Sequence, residues 1–368
     1  MITRLRVKNY RCFEDFDWTP DQICLLIGQN GTGKSTLFGL LEGLRGMLVG
    51  KRSIESLFNP ESIYRAAPTG VELQIRLEIS HSGANFAYEL KITFDKGFVQ
   101  QSILETLTRG GRSVIESSDG QVVQNREDLP IEFSLQPGNS AVGTVGDLKG
   151  ENSLSLFREA IQGLFAFFPN PARIKSSGDT RIHDRLKPDA SNLIGWLRSI
   201  EHFDSPIFSK FESELKELLP GLQKLFFAEI GDQDERLKLN YFDSPGEFGY
   251  YFDFGELSDG QKILVALCAL VWLSKPQPAV LLLDEPENFL ALAEVQPLIN
   301  ALLDAAQEHG TQLIIASHHP ELFNALAKDY GIVLSRGEHG RIGWKRFRDV
   351  EEYGLSPAEV IARGWELN

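Results

Sequence analysis

The sequence predicts an α/β fold in which a mixed or parallel β-sheet is covered by helices and carries a lid of antiparallel strands and helices. Two apolar runs, at 23–27 and 279–283, have the continuous hydrophobicity of buried central strands. Helical periodicity follows them, at 37–44 and 294–309, and this alternation of strand and helix is typical of a parallel sheet. Between these parts, the pattern at 70–116 changes to period two, which predicts an antiparallel meander.

Composition narrows the class of protein. With 368 residues and 42% hydrophobic content, the chain can bury the core of one large domain or two small ones. It has no run of about 18 apolar residues, and Arg4 and Arg6 place charge where a signal peptide needs an apolar stretch. We therefore expect a soluble, cytoplasmic protein with no membrane partner. The formal net charge of −14 means that contact with nucleic acid would require a local basic patch.

The three cysteines, Cys12, Cys24 and Cys268, stand far apart within apolar stretches. Their spacing is that of neither a metal site nor a disulfide framework. We expect them to be buried, reduced thiols.

The middle of the chain has weaker patterns. Residues 118–150 are rich in Gly, Asp, Asn and Ser and are interpreted as loop. Helical spacing returns at 154–168 and again at 193–219, where Pro206 should divide the pattern into two helices. A strand-like region runs over 222–254.

A phosphate-binding loop is the strongest motif. Gly28-Gln29-Asn30-Gly31-Thr32-Gly33-Lys34-Ser35 matches GxxxxGK[ST] and lies between a buried strand and a helix, as this motif requires. Lys34 would supply a charge for the β- and γ-phosphates of ATP, and Ser35 would ligate Mg²⁺. The residues expected to contact the nucleotide here are Asn30, Gly31, Thr32, Gly33, Lys34, Ser35 and Thr36.

Two adjacent carboxylates end the apolar run Val280–Leu283 in the manner of a Walker B element. Because side chains alternate along a strand, Asp284 and Glu285 cannot have the same role. We assign Asp284 to the Mg²⁺ shell and Glu285 to orienting or deprotonating the attacking water. Alone, such a pair would be interpreted as solvated side chains at a loop, but the phosphate loop favours the catalytic interpretation.

Two further segments indicate the class of nucleotide hydrolase. Leu257-Ser258-Asp259-Gly260-Gln261 opens a helix with Ser258 as its N-cap, and we expect Ser258 and Gly260 to contact nucleotide. Ser317-His318-His319-Pro320 follows an apolar strand, where His318 could reach the γ-phosphate. A single histidine at a strand end is more often structural, but the order of the four elements favours a catalytic role.

These motifs resemble those of the soluble ABC ATPases related to RecF and to the heads of structural-maintenance-of-chromosomes (SMC) proteins. The opening Asn9-Tyr10-Arg11-Cys12-Phe13 adds to the match. Asp284-Glu285-Pro286-Glu287 and Ser317-His318-His319-Pro320 resemble the compact branch that includes anti-phage defence ATPases and the overcoming-lysogenization-defect proteins. The resemblance covers 1–50 and 250–345.

The resemblance implies a P-loop, ABC-type ATPase head with two lobes that binds and hydrolyses ATP with Mg²⁺. It implies a homodimer that forms head-to-tail on ATP, in which the Ser258 segment of one subunit closes the nucleotide site of the other. It also suggests that Arg11 lies near the phosphates. We therefore divide the chain into the N-terminal part of the nucleotide-binding lobe (1–60), the lid insertion (61–250) and the C-terminal part of the ATPase lobe (251–368).

Some features depart from that pattern or leave alternatives open. Phe289-Leu290-Ala291-Leu292 follows Asn288, where this branch often has Leu-His-Pro, so the loop linking the two nucleotide sites is atypical. Gln100 and Gln101 are candidates for the glutamine of the lid's Q-loop, or else an exposed polar pair. The basic segment 173–187 would meet nucleic acid or an acidic partner, or else form a solvated face of mixed charge.

Three functions are consistent with these residues. The first is an ATPase whose ATP-driven dimer gates a separately encoded effector, a nuclease or toxin, as in anti-phage defence. The absence of an acidic cluster after His318 favours this reading over a nuclease within the chain. The second is a DNA-repair or chromosome-associated ATPase that acts directly on nucleic acid. The third, a transporter subunit, is disfavoured by the form of Asn9–Phe13 and of the carboxylate motif.

Overall fold

The computed structural model describes residues 1–64, 67, 70–95, 100–125, 130–136, 138–179, 181–230, 234–242, 249–274, 279–337, 340–347 and 354–364. The strands in these ranges are β1 (Ile2–Tyr10), β2 (Phe13–Trp18), β3 (Ile23–Ile27), β4 (Glu72–His81), β5 (Ala84–Phe94), β6 (Gln100–Arg109), β7 (Arg112–Ser118), β8 (Gln121–Gln124), β9 (Ile131–Ser134), β10 (Leu164–Phe167), β11 (Ser177–Asp179), β12 (Leu222–Ile230), β13 (Asp234–Tyr241), β14 (Tyr250–Asp253), β15 (Val280–Asp284), β16 (Gln312–Ala316), β17 (Gly331–Arg336) and β18 (Ile342–Arg346). The helices are α1 (Lys34–Leu48), α2 (Ile54–Leu57), α3 (Ala141–Thr144), α4 (Ser153–Gln162), α5 (Leu193–Phe203), α6 (Ser205–Leu218), α7 (Asp259–Leu273), α8 (Leu292–His309), α9 (Pro320–Tyr330) and α10 (Pro357–Ala362).

The central sheet has the order β10-β15-β16-β3-β17-β18. Neighbouring strands from β10 to β17 are parallel, and β18 alone is antiparallel to its neighbour. The predicted α/β fold with a mixed or parallel sheet is therefore confirmed. This order places β16 between β3 and β15, so the carboxyl ends of all three strands lie at one edge of the sheet.

Both faces of the central sheet are covered, which explains why its strands are apolar without alternation. Leu25 and Leu283 belong to a core that includes α5 to α9. Leu26 and Leu282, which point the other way, belong to a core formed with α1, α4 and the second large sheet. A strand buried on both faces has no polar side, because its side chains alternate between two apolar layers.

The second large sheet is antiparallel and has the order β2-β1-β4-β5-β6-β7-β8-β9 among the described residues. It confirms the meander predicted for 70–116. The interpretation of 118–150 as loop was wrong in part, because β8, β9 and α3 lie there. These elements are only four residues long, and periodicity is not detectable over such a length.

The region between the large sheets and α7 contains α5, α6 and a smaller sheet in which β13 pairs with β11, β12 and β14. The two predicted helices at 193–219 are present, and they separate at Asp204. The Asp204 side chain caps α6, and Pro206 stands in the first turn of that helix, where its missing N–H costs nothing.

One predicted helix is shorter than expected. Helical spacing at 154–168 predicts a single helix, but α4 ends at Gln162, and 164–167 form β10, all four of whose residues are buried. A short, fully buried run has no period that separates helix from strand. Because β10 pairs with β15 in the central sheet, a strand from the range assigned to the lid takes part in the nucleotide-binding lobe.

A buried carboxylate joins the antiparallel sheet to α3. Glu105 in β6 is 1% exposed. It accepts hydrogen bonds from the Tyr88 hydroxyl at 3.0 Å, the Ser140 hydroxyl at 2.5 Å, and the N–H groups of Ala141 at 2.6 Å and Val142 at 3.4 Å. Burial raises the pKa of Glu105, and these hydrogen bonds oppose the shift. The carboxylate therefore accepts hydrogen bonds from several buried donors that would otherwise have no partner.

We expect Glu105→Leu to lower the free energy of unfolding by about 3 kcal/mol, because it leaves buried donors without an acceptor. Urea unfolding followed by circular dichroism measures the change. The matched control is Glu116→Leu in β7, whose side chain is exposed and accepts from Ser113, and which should cost less than about 0.5 kcal/mol. Equal unfolding curves for both variants would contradict this role of Glu105.

Candidate functional site

Three predicted motifs meet at the carboxyl edge of the central sheet. The loop 28–33 leaves β3, Asp284 ends β15 with Glu285 directly after it, and Ser317 and His318 follow β16. Because β16 lies between β3 and β15, residues far apart in sequence reach one edge. The predicted phosphate loop, carboxylates and histidine therefore form one candidate site.

The phosphate loop depends on two glycines. A side chain at Gly28 would place its Cβ 2.5 Å from the carbonyl oxygen of Leu334 in the neighbouring β17. Gly33, which precedes α1, has a φ of 97°, in the left-handed region that favours glycine. The chain can therefore turn tightly into α1, whose first N–H groups have no partner within the helix and are suited to bind phosphate.

Lys34 is held inside this loop. It is 6% exposed, and its Nζ donates to the carbonyl oxygens of Gly28 at 2.6 Å and of Gln29 at 3.4 Å. Burial lowers the pKa of Lys34, and the nearby charges of Glu285 and Asp284 oppose the shift. The ammonium group thus lies between the loop and the two carboxylates.

Ser35 and Asp284 form the candidate magnesium site. Burial raises the pKa of Asp284, and a hydrogen bond with the Ser35 side chain opposes the shift. The Oδ1 atom of Asp284 is buried and has no hydrogen-bond partner, a costly state that a cation would relieve. A hydroxyl and a carboxylate beside a phosphate-binding loop are the oxygen ligands that Mg²⁺ takes. These residues therefore fit the metal.

Glu285 is fixed by its backbone and by two side chains. Its φ of 49° is unusual for a residue other than glycine, and such strained conformations concentrate at functional sites. Its Oε2 accepts from Nδ2 of Asn288 at 2.5 Å, and its Oε1 lies 3.5 Å from Nε2 of His318. The carboxylate is therefore oriented between an amide and an imidazole.

His318 sits partly exposed at the end of β16, with 37% of its side chain accessible. Burial lowers the pKa of His318 and the charge of Lys34 lowers it further, while Glu285 opposes the shift. The lowered pKa favours the neutral imidazole, which can donate one hydrogen bond and accept another. This state suits a group that contacts both a carboxylate and a phosphate.

A buried pair behind the site has a role that the sequence did not indicate. Glu287 is 3% exposed, and its Oε1 accepts from the Ser317 hydroxyl. Ser317 Oγ also accepts from the N–H of His319 at 2.9 Å. Burial raises the pKa of Glu287, and the hydrogen bond from Ser317 opposes this shift. This network ties the turn that carries His318 to the segment that carries Glu285.

Arg11 lies in the turn between β1 and β2, beside the phosphate loop. The turn is close to the phosphate loop because Cys12 packs on the loop. A Cβ at Gly33 would lie 2.9 Å from Sγ of Cys12. The N–H of Arg11 donates to the carbonyl oxygen of Ser62 at 2.8 Å, while its side chain is exposed. Thr36 hydrogen-bonds the Cys12 thiol, so its side chain faces this turn.

Arg336 is a further cation at the loop, and no sequence motif indicated it. It ends β17, and its Nη2 donates to the carbonyl oxygen of Gly31 at 3.0 Å. Asn30 and Gly31 are exposed, whereas Thr32 is buried and donates its hydroxyl to the carbonyl oxygen of Gln29 at 2.8 Å. Only the strand order, which places β17 beside β3, could have indicated Arg336.

Ser258 and Gly260 stand at the start of α7, as predicted. The Ser258 hydroxyl accepts from the N–H of Gln261 at 3.2 Å, and the Gln261 side chain accepts from the N–H of Ser258 at 3.1 Å, which completes a capping box. Gly260 packs against the carbonyl of Phe289, which leaves no room for a side chain. Ser258 itself is exposed, so its hydroxyl is available to a partner molecule.

The remaining candidates lie elsewhere. Gln101 is exposed and donates to Asp95 at 3.2 Å on the antiparallel sheet, which favours the interpretation as an exposed polar residue. In the basic segment, Arg173 pairs with Asp189 at 2.9 Å and Arg185 donates to the carbonyl oxygen of Gln162 at 2.6 Å. These contacts favour a face of mixed charge over a dedicated nucleic-acid surface.

The cysteines are free thiols, as expected. Cys24 and Cys268 are buried, and burial raises the pKa of Cys24 to about 12. Cys12 is half-buried rather than buried. Within the described ranges, no cluster of three or more His, Cys, Asp or Glu side chains could hold a metal. In the same ranges, no helix has the length and apolar character needed to cross a membrane.

Sequence comparison identifies the family. Residues 23–324 match the model described as "AAA domain, putative AbiEii toxin, Type IV TA system". The mRNA export factor elf1 of Schizosaccharomyces pombe is 28% identical over 158 residues, which cover 42% of this chain and 14% of that protein. The OLD nuclease of Thermus scotoductus is 22% identical over 338 residues, which cover 87% of this chain and 59% of that protein. The chain thus spans less than two thirds of either relative.

Structural comparison agrees with the predicted fold. The SMC head domain from Thermotoga maritima aligns with a TM-score of 0.53 and 14% identity, over 95% of this chain and 99% of that chain. At this identity the likeness concerns the fold alone, and it confirms the ABC-type head. The family match covers most of the chain and agrees with the resemblance to RecF-like and SMC-like ATPases. The chain therefore belongs to this AAA-domain family and is an ABC-type ATPase.

Proposed function

We propose that this chain binds ATP and Mg²⁺, forms a head-to-tail homodimer, and uses hydrolysis to switch a separate effector, a nuclease or a toxin. This proposal is supported mainly by the position of four side chains, which meet at the carboxyl edge of the central sheet: Lys34, Asp284, Glu285 and His318. Ser258, in contrast, is exposed at the start of α7. One subunit thus holds the groups that bind phosphate and orient water, and its exposed Ser258 would contact the nucleotide bound by the partner subunit.

Each residue has a chemical part in this proposal. Lys34 binds the terminal phosphates, and Ser35 and Asp284 hold Mg²⁺, which would neutralise phosphate charge. Glu285, fixed by Asn288, orients the attacking water and accepts its proton. The neutral His318 donates a hydrogen bond towards the γ-phosphate.

The comparisons support a nuclease or a toxin as the effector. One relative is named a nuclease. Within the described residues, no group of acidic or histidine side chains has the form of a metal-dependent nuclease site. The match to a family described by a putative toxin supports a place in anti-phage defence. The free thiols are consistent with the reducing cytoplasm.

We expect the purified chain alone to hydrolyse ATP slowly and to leave DNA and RNA uncut with Mg²⁺ or Mn²⁺. A pull-down of tagged Glu285→Gln with ATP, compared with Lys34→Ala, should enrich the effector only in the first variant, because only that variant can form the ATP-bound dimer. Nuclease activity that co-elutes with the lone chain and survives Glu285→Gln would contradict a separate effector.

The second candidate is an ATPase of DNA repair or of chromosomes that acts directly on nucleic acid. Its support is the fold shared with an SMC head, together with exposed Lys175 and Lys187 in the basic segment. DNA-stimulated ATP turnover by the lone protein, falling as salt rises, would favour this candidate. ATP turnover that does not change when DNA is added would favour the proposal of a separate effector protein.

A further inference from the structure

A polar groove lies at one end of the antiparallel sheet. Its volume is about 990 Å³, at the upper end of the range of about 300–1,000 Å³ for pockets that hold small molecules. The turns β4–β5 and β6–β7, the end of β8 and the segment 147–153 line it, and none of the residues predicted to contact ATP does. We call it the hairpin groove, and its lining includes Arg109, Arg112, Gln124, Asn125, Asp147 and Glu151.

Two arginines of the hairpin groove stand opposite each other across the turn between β6 and β7. Arg109 and Arg112 are direct partners in the strand register, on either side of Gly110 and Gly111. Both glycines have a positive φ, 56° and 82°, as in the type of turn that closes tight hairpins. Side chains of directly opposed residues lie on the same face of a strand pair, where like charges repel. The hairpin therefore holds two positive charges together at a cost that a bound anion would relieve.

Neither arginine has an acidic partner among the described residues. Nη1 of Arg109 donates to Oδ1 of Asn152 at 2.9 Å and to the Ser153 hydroxyl at 3.1 Å, and its guanidinium carbon lies 5.8 Å from the centroid of the Phe86 ring. Arg112 is exposed, and no described group forms a hydrogen bond or an ion pair with its guanidinium. Arg109 is thus held in place by uncharged groups, and the charge of both arginines is available to a ligand.

The acidic residues of the groove differ in how far they are already used. Asp147 caps α4, because its carboxylate accepts from two N–H groups in the first turn of that helix, each at 2.8 Å, and its charge also acts on Arg158. Glu151 is half-buried, and no described group pairs with its carboxylate. Lys149, two residues before it, is exposed. Glu151 is therefore the carboxylate of the lining that can accept hydrogen bonds from a ligand.

Two amide side chains complete the polar lining. Gln124 is 4% exposed, and its Nε2 donates to the carbonyl oxygen of Gly146 at 2.9 Å. Nδ2 of Asn125 donates to the Ser113 hydroxyl at 2.9 Å, and that hydroxyl donates to Glu116 at 2.6 Å. These bonds orient both amides, and no described donor reaches the carbonyl oxygen of either side chain. Both oxygens can therefore accept hydrogen bonds from a ligand.

We propose that the hairpin groove binds a small phosphorylated sugar, either a free sugar phosphate or the sugar phosphate of a nucleotide. Arg109 and Arg112 would bind the phosphate, since two guanidinium groups match the two charges of a phosphate monoester, whereas a carboxylate would neutralise only one. Glu151 would accept hydrogen bonds from sugar hydroxyls, as carboxylates do where they recognise ribose. This site is independent of the head-to-tail dimer, so either proposal can fail without the other.

Isothermal titration calorimetry of the Lys34→Ala chain without Mg²⁺, a background in which the ATP site is weakened, tests this site with ribose 5-phosphate, AMP and inorganic phosphate. We expect ribose 5-phosphate or AMP to bind about tenfold or more tightly than inorganic phosphate. Adding Arg112→Ser should raise the dissociation constant by about tenfold or more, because hydrogen bonds between charged groups are strong. The matched control is Arg6→Ser, which removes the same charge from β1 of the same sheet, where Arg6 pairs with Asp15.

Glu151→Gln separates the sugar from the phosphate. Loss of the negative charge affects every phosphate ligand alike, but loss of the carboxylate acceptor affects only ligands with hydroxyl groups. The preference for ribose 5-phosphate over inorganic phosphate should therefore fall in this variant. In an otherwise wild-type chain, Arg112→Ser should keep the wild-type rate of ATP hydrolysis, since Arg112 is not among the residues predicted to contact ATP.

Binding that depends on Arg112 and Glu151 but not on Arg6 supports the proposal, and the tighter of the two ligands identifies the source of the sugar phosphate. Inorganic phosphate bound as tightly as either ligand would show a general anion site and overturn it. So would binding that survives Arg112→Ser, or no binding of either ligand at millimolar concentration. A 5′-phosphorylated oligonucleotide that binds where AMP and ribose 5-phosphate do not would assign the groove to nucleic acid, which also overturns the proposal.

Discussion

Glu285→Gln should bind ATP with nearly unchanged affinity and hydrolyse it at about one hundredth of the wild-type rate or less. The amide keeps the shape of the side chain, and both Lys34 and Asp284 remain in place for phosphate and metal. It cannot take up the proton of the attacking water, so the loss falls on the chemical step. Equilibrium titration with a fluorescent ATP analogue and a phosphate-release assay measure the two quantities separately.

The contrasting variant is Lys34→Ala. Removing the buried ammonium should weaken ATP binding itself, since Lys34 lies inside the loop at 2.6 Å from the Gly28 carbonyl oxygen.

Chelation of Mg²⁺ should abolish hydrolysis by the wild-type protein, because the unpartnered oxygen of Asp284 then has no cation. An equal loss of ATP affinity in Glu285→Gln and Lys34→Ala would contradict the division of roles.

The parts of the site that lie within one continuous segment could be predicted from the sequence. The phosphate loop needs glycines, a lysine and a hydroxyl at fixed spacing after a strand, and all of these requirements are local. The same holds for the capping box at Ser258, where the structure has the predicted N-cap and helix start. The order of β3, β15 and β16 in the sheet did not follow from local patterns.

The residues that the sequence missed depend on contacts between distant segments. Arg336 reaches Gly31 only because β17 pairs with β3, and its position in the sequence carries no sign of this. Glu287 stands in a recognised motif, but its bond with Ser317 requires β15 and β16 to be neighbours. The spacing at 154–168 predicts helix where β10 lies, because a buried run of four residues has no diagnostic period.

Lys34→Ala and Ser258→Arg should each abolish ATP hydrolysis as homodimers and should restore part of it when mixed. In a head-to-tail dimer, each of the two sites uses the phosphate loop of one subunit and the Ser258 segment of the other. A mixed dimer therefore has one site with both lesions and one site with neither. With random mixing, about half of the dimers are mixed and each has one working site, so about a quarter of wild-type turnover should return.

The Ser258→Arg variant also removes a helix cap, which would cost about 1 kcal/mol irrespective of nucleotide. Ser356→Arg is the matched control, because Ser356 caps α10 with the same kind of capping box and is not among the predicted nucleotide contacts. This control should keep wild-type turnover. A loss of hydrolysis in both serine variants would indicate that the missing cap, and not the blocked phosphate site, caused it.

Association must be measured beside the rate, because strict coupling between the two sites would suppress turnover in a dimer with one working site. The mixture should then still sediment as an ATP-dependent dimer, although its rate stays low. A site built from two subunits cannot hydrolyse ATP in a monomer. If Glu285→Gln stays monomeric at saturating ATP while the wild type hydrolyses ATP, the head-to-tail site is contradicted. Ser258 would then act within its own subunit or have no part in hydrolysis.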